Sequence, residues 1–188
     1  MTNEEVINRL QHGNQNFVAD KVDGKLQNSN RRKELTEGQQ PFAIVLSCAD
    51  SRVVPELAFD TGLGELFVVR VAGNIANTSS IASIEYAVAH CGSKLIVVMG
   101  HESCGAVTAA VSGGDNGHNI NQLLSHITPA IQASGAGAGI ATIVKKNAQM
   151  VADDLVQRSA IIKKAVDSGD VKIVPAYYNL GSGKVDFM

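Results

Sequence analysis

The sequence predicts an α/β fold: a mostly parallel sheet of four strands plus a short C-terminal edge strand, with helices on both faces and an N-terminal helical arm. Four apolar runs alternate with segments in which apolar residues recur at helical spacing. The runs show no polar alternation, which is typical of parallel strands that helices cover on both sides. These runs lie at 41–47, 66–71, 94–100 and 171–178, and the edge strand lies at 184–187.

Residues 1–36 precede the first strand and form the predicted arm. Thr2 and Glu5 have the spacing of a capping box, which begins a first helix. The apolar stripe of this helix consists of Val6, Ile7, Leu10 and Phe17. A short second helix over 31–36 is predicted to end at Gly38. Because the arm lies outside the repeating α/β pattern, we expect it to pack on a partner subunit or along the domain edge.

The segment between the first and third strands contains two predicted helices. Residues 55–59 form a short connection, and Ser80 caps a longer helix that ends at Gly92. Arg70 lies within the second apolar run. Since a charged side chain is rarely buried without a counter-charge, we expect Arg70 at the end of its strand, near the site or an interface.

The remaining helices follow the third strand. Residues 105–111 predict one helix, and apolar spacing over 120–131 predicts another, which Pro129 is expected to kink. A long helical region over 140–166 is expected to break near Arg158.

Length and composition predict one domain over 1–188. A chain with 45% hydrophobic and 18% charged residues is typical of globular proteins. The net charge of -2 provides no basic surface for nucleic acid or for a membrane. No apolar run approaches the roughly 20 residues that span a bilayer, and the acidic N-terminus is unlike a signal peptide. We therefore expect a cytoplasmic protein without nucleic-acid or membrane partners.

Three reactive residues follow two of the predicted strands. Cys48 comes directly after the first, His101 comes directly after the third, and Cys104 lies three residues beyond His101. Because the carboxyl ends of parallel strands meet at one edge of a sheet, these side chains are expected to share one site. Two thiolates and an imidazole suit zinc and leave a fourth coordination position. Cys91, on the apolar stripe of a helix, is assigned to the core.

Asp50 and Arg52 occupy the turn after the first strand, and two interpretations remain open. They could form a purely structural ion pair. Alternatively, Arg52 could hold Asp50 off the metal and leave the fourth position to water, which zinc converts to a nucleophile near neutral pH. If Asp50 bound the metal instead, the site would be closed, as in structural zinc sites.

Five motifs occur in the following order: Cys48-Ala-Asp-Ser-Arg52, Phe67-Val-Val-Arg-Val-Ala-Gly-Asn74, Ile84-Glu-Tyr-Ala-Val88, His101-Glu-Ser-Cys-Gly-Ala106 and Tyr178-Asn-Leu-Gly-Ser-Gly-Lys-Val185. Together they resemble the β-class carbonic anhydrases, and the resemblance covers nearly the whole chain. The resemblance implies reversible hydration of carbon dioxide to bicarbonate and a proton by zinc-bound hydroxide. It implies one zinc per chain on Cys48, His101 and Cys104, with Asp50 as a fourth ligand when closed or paired to Arg52 when open. It also implies dimers interlocked by the N-terminal helices, often assembled into tetramers.

The resemblance extends to the pocket around the metal. It favours the plant-like group and assigns these residues to substrate binding: Gln39, Phe67, Tyr86 and Gly105. The other group is regulated by bicarbonate, which a tryptophan, an arginine and a C-terminal tyrosine bind. Here Val45 stands in place of the tryptophan, while Arg70 and Tyr178 match the other two positions.

Two alternatives to a carbonic anhydrase stay open. The same nucleophile could hydrolyse carbonyl sulfide or carbon disulfide, which are linear molecules like carbon dioxide. A structural or sensory zinc module without catalysis would keep Asp50 on the metal permanently.

Overall fold

A computed structural model describes residues 1–24 and 26–188. Its strands are β1 (Ala43–Ser47), β2 (Leu66–Arg70), β3 (Leu95–His101), β4 (Lys172–Tyr178) and β5 (Val185–Phe187). Over the described residues they form one sheet in the order β2-β1-β3-β4-β5. The first four strands pair in parallel, and β5 pairs antiparallel with β4. The predicted fold class is therefore confirmed.

Nine α-helices are found in the described part of the chain. They are α1 (Asn3–Val18), α2 (Ser29–Glu34), α3 (Pro55–Ala58), α4 (Thr78–Tyr86), α5 (Gly105–Ser112), α6 (His118–Ser125), α7 (Thr128–Ser134), α8 (Ile140–Arg158) and α9 (Ala160–Asp167). None of those helices is long and apolar enough to cross a membrane.

The structure corrects two features of the predicted helices. The cap of α4 is Asn77, whose side chain accepts a hydrogen bond from the backbone amide of Ser80, so the predicted cap at Ser80 is wrong. Pro129 does not kink one helix but lies in the first turn of α7, after α6 has ended. Proline is tolerated there because the first turn has no intrahelical partner for the missing N–H. The predicted break near Arg158 is confirmed, and Ser159 caps α9.

The core lies on both faces of the sheet. Every residue of β1 and β3 is buried, as the absence of alternation predicts. Val45 and Val97 pack with α1 on one face, whereas Ile44 and Ile96 pack with α4, α8 and α9 on the other. The two central strands are thus enclosed by helices and hold the site residues at their ends on a rigid support.

Helix α1 begins with the predicted capping box of Thr2 and Glu5. Its apolar face does not depend on a partner subunit, because Val6 and Leu10 are fully buried against the chain's own sheet. Of the two expected locations of the arm, Val6 and Leu10 therefore pack on the chain's own domain and not on a partner subunit. The apolar stripe shows in the sequence, but the surface that it meets is decided by tertiary packing.

We expect Leu10→Ala to lower the free energy of unfolding by about 2–5 kcal/mol, the range for buried leucine truncations. Val18→Ala, on the same helix but half exposed, is the control and should change stability little. Urea denaturation at several protein concentrations measures both. Equal stability of the two variants would contradict the packing of α1, and a concentration-dependent loss would assign Leu10 to a subunit interface.

Candidate metal centre

The ends of β1 and β3 bring the predicted metal ligands together. β1 lies between β2 and β3, so the strand order reverses beside it, and Ser47 is paired with Met99. Cys48 follows β1 directly, while His101 is the last residue of β3. A turn with Ser103 in the left-handed region (φ 54°) leads to Cys104, which precedes α5. Ligand sites are typical of this switch point in α/β sheets.

The three side chains form a compact, buried group. The sulfur atoms of Cys48 and Cys104 and a ring nitrogen of His101 all lie within 4.8 Å of one another. Zinc bonds to such ligands are about 2.0–2.3 Å long, so one ion can bridge all three after small side-chain adjustments. Cys91 is buried elsewhere and is not part of the group.

His101 is oriented for a metal through one nitrogen. Its Nδ1 lies 2.8 Å from the carbonyl oxygen of Glu102, to which it donates. Its Nε2 is fully buried and has no hydrogen-bond partner among the described residues. An unsatisfied buried polar atom costs about 1–3 kcal/mol, and coordination would remove that penalty. A carbonyl that fixes the other ring nitrogen is the usual support of a metal-bound histidine.

The two cysteine side chains contact each other, and their pKa values shift in opposite directions. The Cys104 thiol lowers the pKa of Cys48, and a backbone amide, Gly73 N–H, also donates to Cys48 Sγ at 3.3 Å. The same contact with Cys48, together with burial, raises the pKa of Cys104. Metal binding would deprotonate both thiols, and a divalent cation would then offset the negative charge on the two buried sulfur atoms.

Asp50 lies beside the group but is held by Arg52. Arg52 donates to the Asp50 carboxylate from Nε (2.9 Å), from a terminal nitrogen (2.7 Å) and from its backbone amide (3.0 Å). These side-chain hydrogen bonds hold the pKa of Asp50 well below its ordinary value. One carboxylate oxygen is 3.9 Å from His101 Nε2. Asp50 is thus close to the position that a metal would occupy, but its carboxylate is ion-paired with Arg52.

Arg70 supports the same turn from β2. It is the last residue of that strand, and its guanidinium donates to the carbonyl oxygens of Cys48 (3.0 Å) and Asp50 (2.6 Å). The structure therefore places Arg70 at the strand's end near the site, as expected. These bonds fix the backbone between the first cysteine and Asp50.

The comparison with known proteins agrees with this geometry. A profile of the family described as "Carbonic anhydrase" matches residues 43–185, from the first residue of β1 to the first residue of β5.

The chain belongs to the β-carbonic anhydrase family.

Curated relatives match over most of their length. A carbonic anhydrase of Mycolicibacterium smegmatis is 40% identical over 184 residues, which cover 94% of this chain and 89% of the relative. Carbonic anhydrase 2 of Mycobacterium tuberculosis is 36% identical over 182 residues, with coverage of 93% and 87%. The predicted enzyme class, a carbonate dehydratase, is thereby confirmed at the level of the family.

Solved structures share the fold. A β-carbonic anhydrase of Coccomyxa in complex with acetazolamide has a TM-score of 0.77 at 26% identity, covering 83% of this chain and 75% of that one. One of the tetrameric β-carbonic anhydrases of Sordaria macrospora has a TM-score of 0.74 at 24% identity, with coverage of 98% and 97%. The likeness to the Sordaria enzyme supports the fold alone.

The residues that the carbonic anhydrase resemblance assigns to the pocket are not all together within one chain. Gly105 follows Cys104 and lies at the metal group. Phe67 and Tyr86 contact each other, with ring centroids 6.4 Å apart, and Tyr86 is 52% exposed. Gln39 precedes β1 and is exposed, at the edge opposite Cys48. The five residues of β1 span roughly 17 Å, so Gln39 lies far from the metal group of its own chain.

Two residues at the site have no role in the sequence prediction. Gly73 lies within a motif of the carbonic anhydrases, but its contact with Cys48 spans 25 positions and has no local signature. Asn147 donates to the Gly73 carbonyl oxygen from α8. The only sequence signal for Asn147 is an amide on the apolar face of a helix.

Proposed function

We propose that this chain catalyses the reversible hydration of carbon dioxide to bicarbonate and a proton, with one zinc ion held by Cys48, His101 and Cys104. The observation that carries the proposal is the buried group of two cysteines and an unpaired histidine nitrogen at the sheet's switch point, in a chain of the carbonic anhydrase family. When bound there, zinc supplies a Lewis acid that activates water near neutral pH.

The donor set fits a catalytic zinc better than a structural one. Structural sites have four protein ligands, whereas catalytic sites have three and leave one position open. Asp50 is the nearest candidate for a fourth ligand, and its pairing with Arg52 keeps it from that position. This pairing favours the enzyme over the structural or sensory zinc module.

The remaining site residues orient these groups. His101 presents Nε2 because the Glu102 carbonyl holds the proton on Nδ1. Arg70 holds the carbonyl oxygens of Cys48 and Asp50, which fixes the distance between the first ligand and the carboxylate. Asp50 and Arg52 together control access to the open position, so we propose them as the catalytic pair.

The substrate pocket is proposed to be completed by a second copy of the chain. Gln39 lies at the end of its own sheet that is remote from the metal group. Phe67 on the edge strand β2 and Tyr86 at the end of α4 are both partly exposed. Four apolar residues of β2 are only partly covered, and a partner there would bury them. We infer a dimer or tetramer in which residues 1–36 also contact the partner.

The plant-like assignment of the pocket rests on Val45 and on the matches at Gln39, Phe67 and Tyr86. Val45 is fully buried in the core, at the position where the bicarbonate-regulated group has a tryptophan. Arg70, which matches the arginine of the bicarbonate-regulated group, donates hydrogen bonds from Nε and one terminal nitrogen to two backbone carbonyl oxygens.

Stopped-flow measurement of carbon dioxide hydration by zinc-loaded protein tests the function. We expect carbon dioxide hydration to be faster than in buffer alone. A chelator should abolish this catalysis, and added zinc should restore it. Parallel assays with carbonyl sulfide and carbon disulfide test the alternative substrates. Zinc-replete protein with no hydration above buffer would contradict the proposal. If the absorption spectrum of the cobalt-substituted protein then did not change on addition of anions, the result would support a structural or sensory zinc module with Asp50 on the metal.

A further inference from the structure

Asn147 is a buried amide on the otherwise apolar inner face of α8. It is 1% exposed, and its neighbours on that face include Ile143, Val144 and Val151. Its Nδ2 donates to the carbonyl oxygen of Gly73 at 2.9 Å. Burial of an amide lowers stability unless the amide is hydrogen-bonded, whereas an apolar residue of similar size could be buried on this face without that cost. The contact therefore points to a role in holding Gly73.

Gly73 adopts a backbone conformation that favours glycine. Its φ is +71°, and a Cβ there would lie 2.8 Å from Ile127 Cδ1 and 3.3 Å from the Ala106 Cβ. Glycine adopts this conformation at little cost, but it adopts the mirror-image conformations about as readily. Since Gly73 N–H donates to Cys48 Sγ at 3.3 Å, a flip of this residue would remove a hydrogen bond from the first metal ligand.

Helix α8 provides a rigid support for Asn147. One turn earlier, Val144 packs directly over Gly100, where an added Cβ would meet Val144 Cγ1 at 2.6 Å. Gly100 precedes His101 in β3. The same helix face thus packs closely against the strand that carries the histidine and reaches across to the turn that contacts the first cysteine.

We propose that Asn147 is a positioning residue of the metal centre. By holding the Gly73 carbonyl, it confines Gly73 to the one conformation in which its amide donates to the Cys48 sulfur. That hydrogen bond stabilises negative charge on buried sulfur and orients the ligand. The inference rests on the proposed zinc site of Cys48, His101 and Cys104 and adds a support that acts through Gly73.

The test compares Asn147→Leu and Asn147→Ser with Asn14→Leu. Asn14 is the matched control, because it too is a buried asparagine whose Nδ2 donates to backbone carbonyls, those of Ala58 and Gly183, away from the metal group. Zinc loss to an excess of chelator should be about tenfold faster in the Asn147 variants, the lower end of the effect of outer-shell partners. Asn14→Leu should lose zinc at the wild-type rate.

Cobalt-substituted proteins provide the second readout. Without the amide, the sulfur lone pair lies higher in energy, so the sulfur-to-cobalt charge-transfer band should move to longer wavelength in the Asn147 variants and not in Asn14→Leu. Unchanged bands and zinc-loss rates in folded Asn147 variants would overturn the inference while leaving the zinc site intact. Wild-type protein that binds neither metal would overturn the zinc site itself, and the inference with it.

Wild-type protein alone gives a readout that does not depend on the folding of any variant. In cadmium-113-loaded protein, NMR should detect couplings across two hydrogen bonds: from the Asn147 side-chain nitrogen to the Gly73 carbonyl carbon, and from the Gly73 amide proton to cadmium through Cys48 Sγ. The absence of either coupling would overturn the proposed role of Asn147 as a positioning residue.

Discussion

Zinc and carbon dioxide hydration should be lost together when Cys48, His101 or Cys104 is replaced by alanine. Each substitution removes one of only three proposed ligands. The decrease in activity should therefore be larger than the decrease of about 10–100-fold that is typical when a residue hydrogen-bonded to a metal ligand is replaced. Metal analysis of the purified protein and stopped-flow hydration measure the two quantities. Normal zinc content in any one variant would exclude that residue from the site.

Cys91→Ala is the matched control for these substitutions. Cys91 is a free, buried cysteine that lies outside the ligand group. The variant should keep zinc and activity, even if it loses some stability from the smaller side chain. Loss of metal from Cys91→Ala alone would mean that the three cysteines have been assigned incorrectly.

The convergence of the ligands could be predicted from sequence because it depends on strand order and little else. Cys48 and His101 each follow an apolar run, and parallel neighbours present their carboxyl ends at one edge. Pairing of β1 with β3 was enough to bring them together. The pairing of Asp50 with Arg52 is likewise a local feature, two residues apart on one turn.

Other features depend on contacts that no local pattern encodes. The stripe on α1 is equally suited to a partner or to the chain's own sheet, and packing of Leu10 selects the sheet. Asn77 and Ser80 are both good capping residues, and the structure uses the first. Asn147 and Gly73 are 74 positions apart, so their contact appears only when α8 is folded onto the sheet.

The Asp50 and Arg52 pair itself does not titrate in the neutral range. Arg52 holds the pKa of Asp50 below its ordinary value, so the carboxylate stays charged at neutral pH. The pair's contribution to stability is complete above the ordinary aspartate pKa, about 3.9, and is lost only as pH falls through the lowered value. We therefore expect a change of activity near neutral pH to reflect ionisation of the water that the proposed zinc would activate. Activity should rise with pH, and its pH dependence should fit the loss of a single proton.

Arg52→Ala should lower kcat/KM while leaving zinc content normal. Without Arg52, the Asp50 carboxylate, 3.9 Å from His101 Nε2, is free to occupy the open position. We expect a decrease of about tenfold, because the fork of Arg52 that now holds both carboxylate oxygens is lost. Arg52→Lys is the control: it keeps the charge without the fork and should have intermediate activity. Unchanged activity of Arg52→Ala would show that the pair does not control access.

Asp50→Asn tests the same pair from the side of the carboxylate. The amide is a weaker metal ligand than the carboxylate and forms weaker hydrogen bonds with Arg52, so activity should be low and its pH dependence altered.

The pH profile of kcat/KM of the wild-type protein, measured with and without added bicarbonate, tests for regulation by bicarbonate. Wild-type activity should follow a single-proton slope that added bicarbonate leaves unchanged, because Val45 stands where the bicarbonate-regulated group has a tryptophan. A steeper slope that bicarbonate accentuates would mean that Arg70 and Tyr178 bind the anion without a tryptophan, and the plant-like assignment of the pocket would then be wrong.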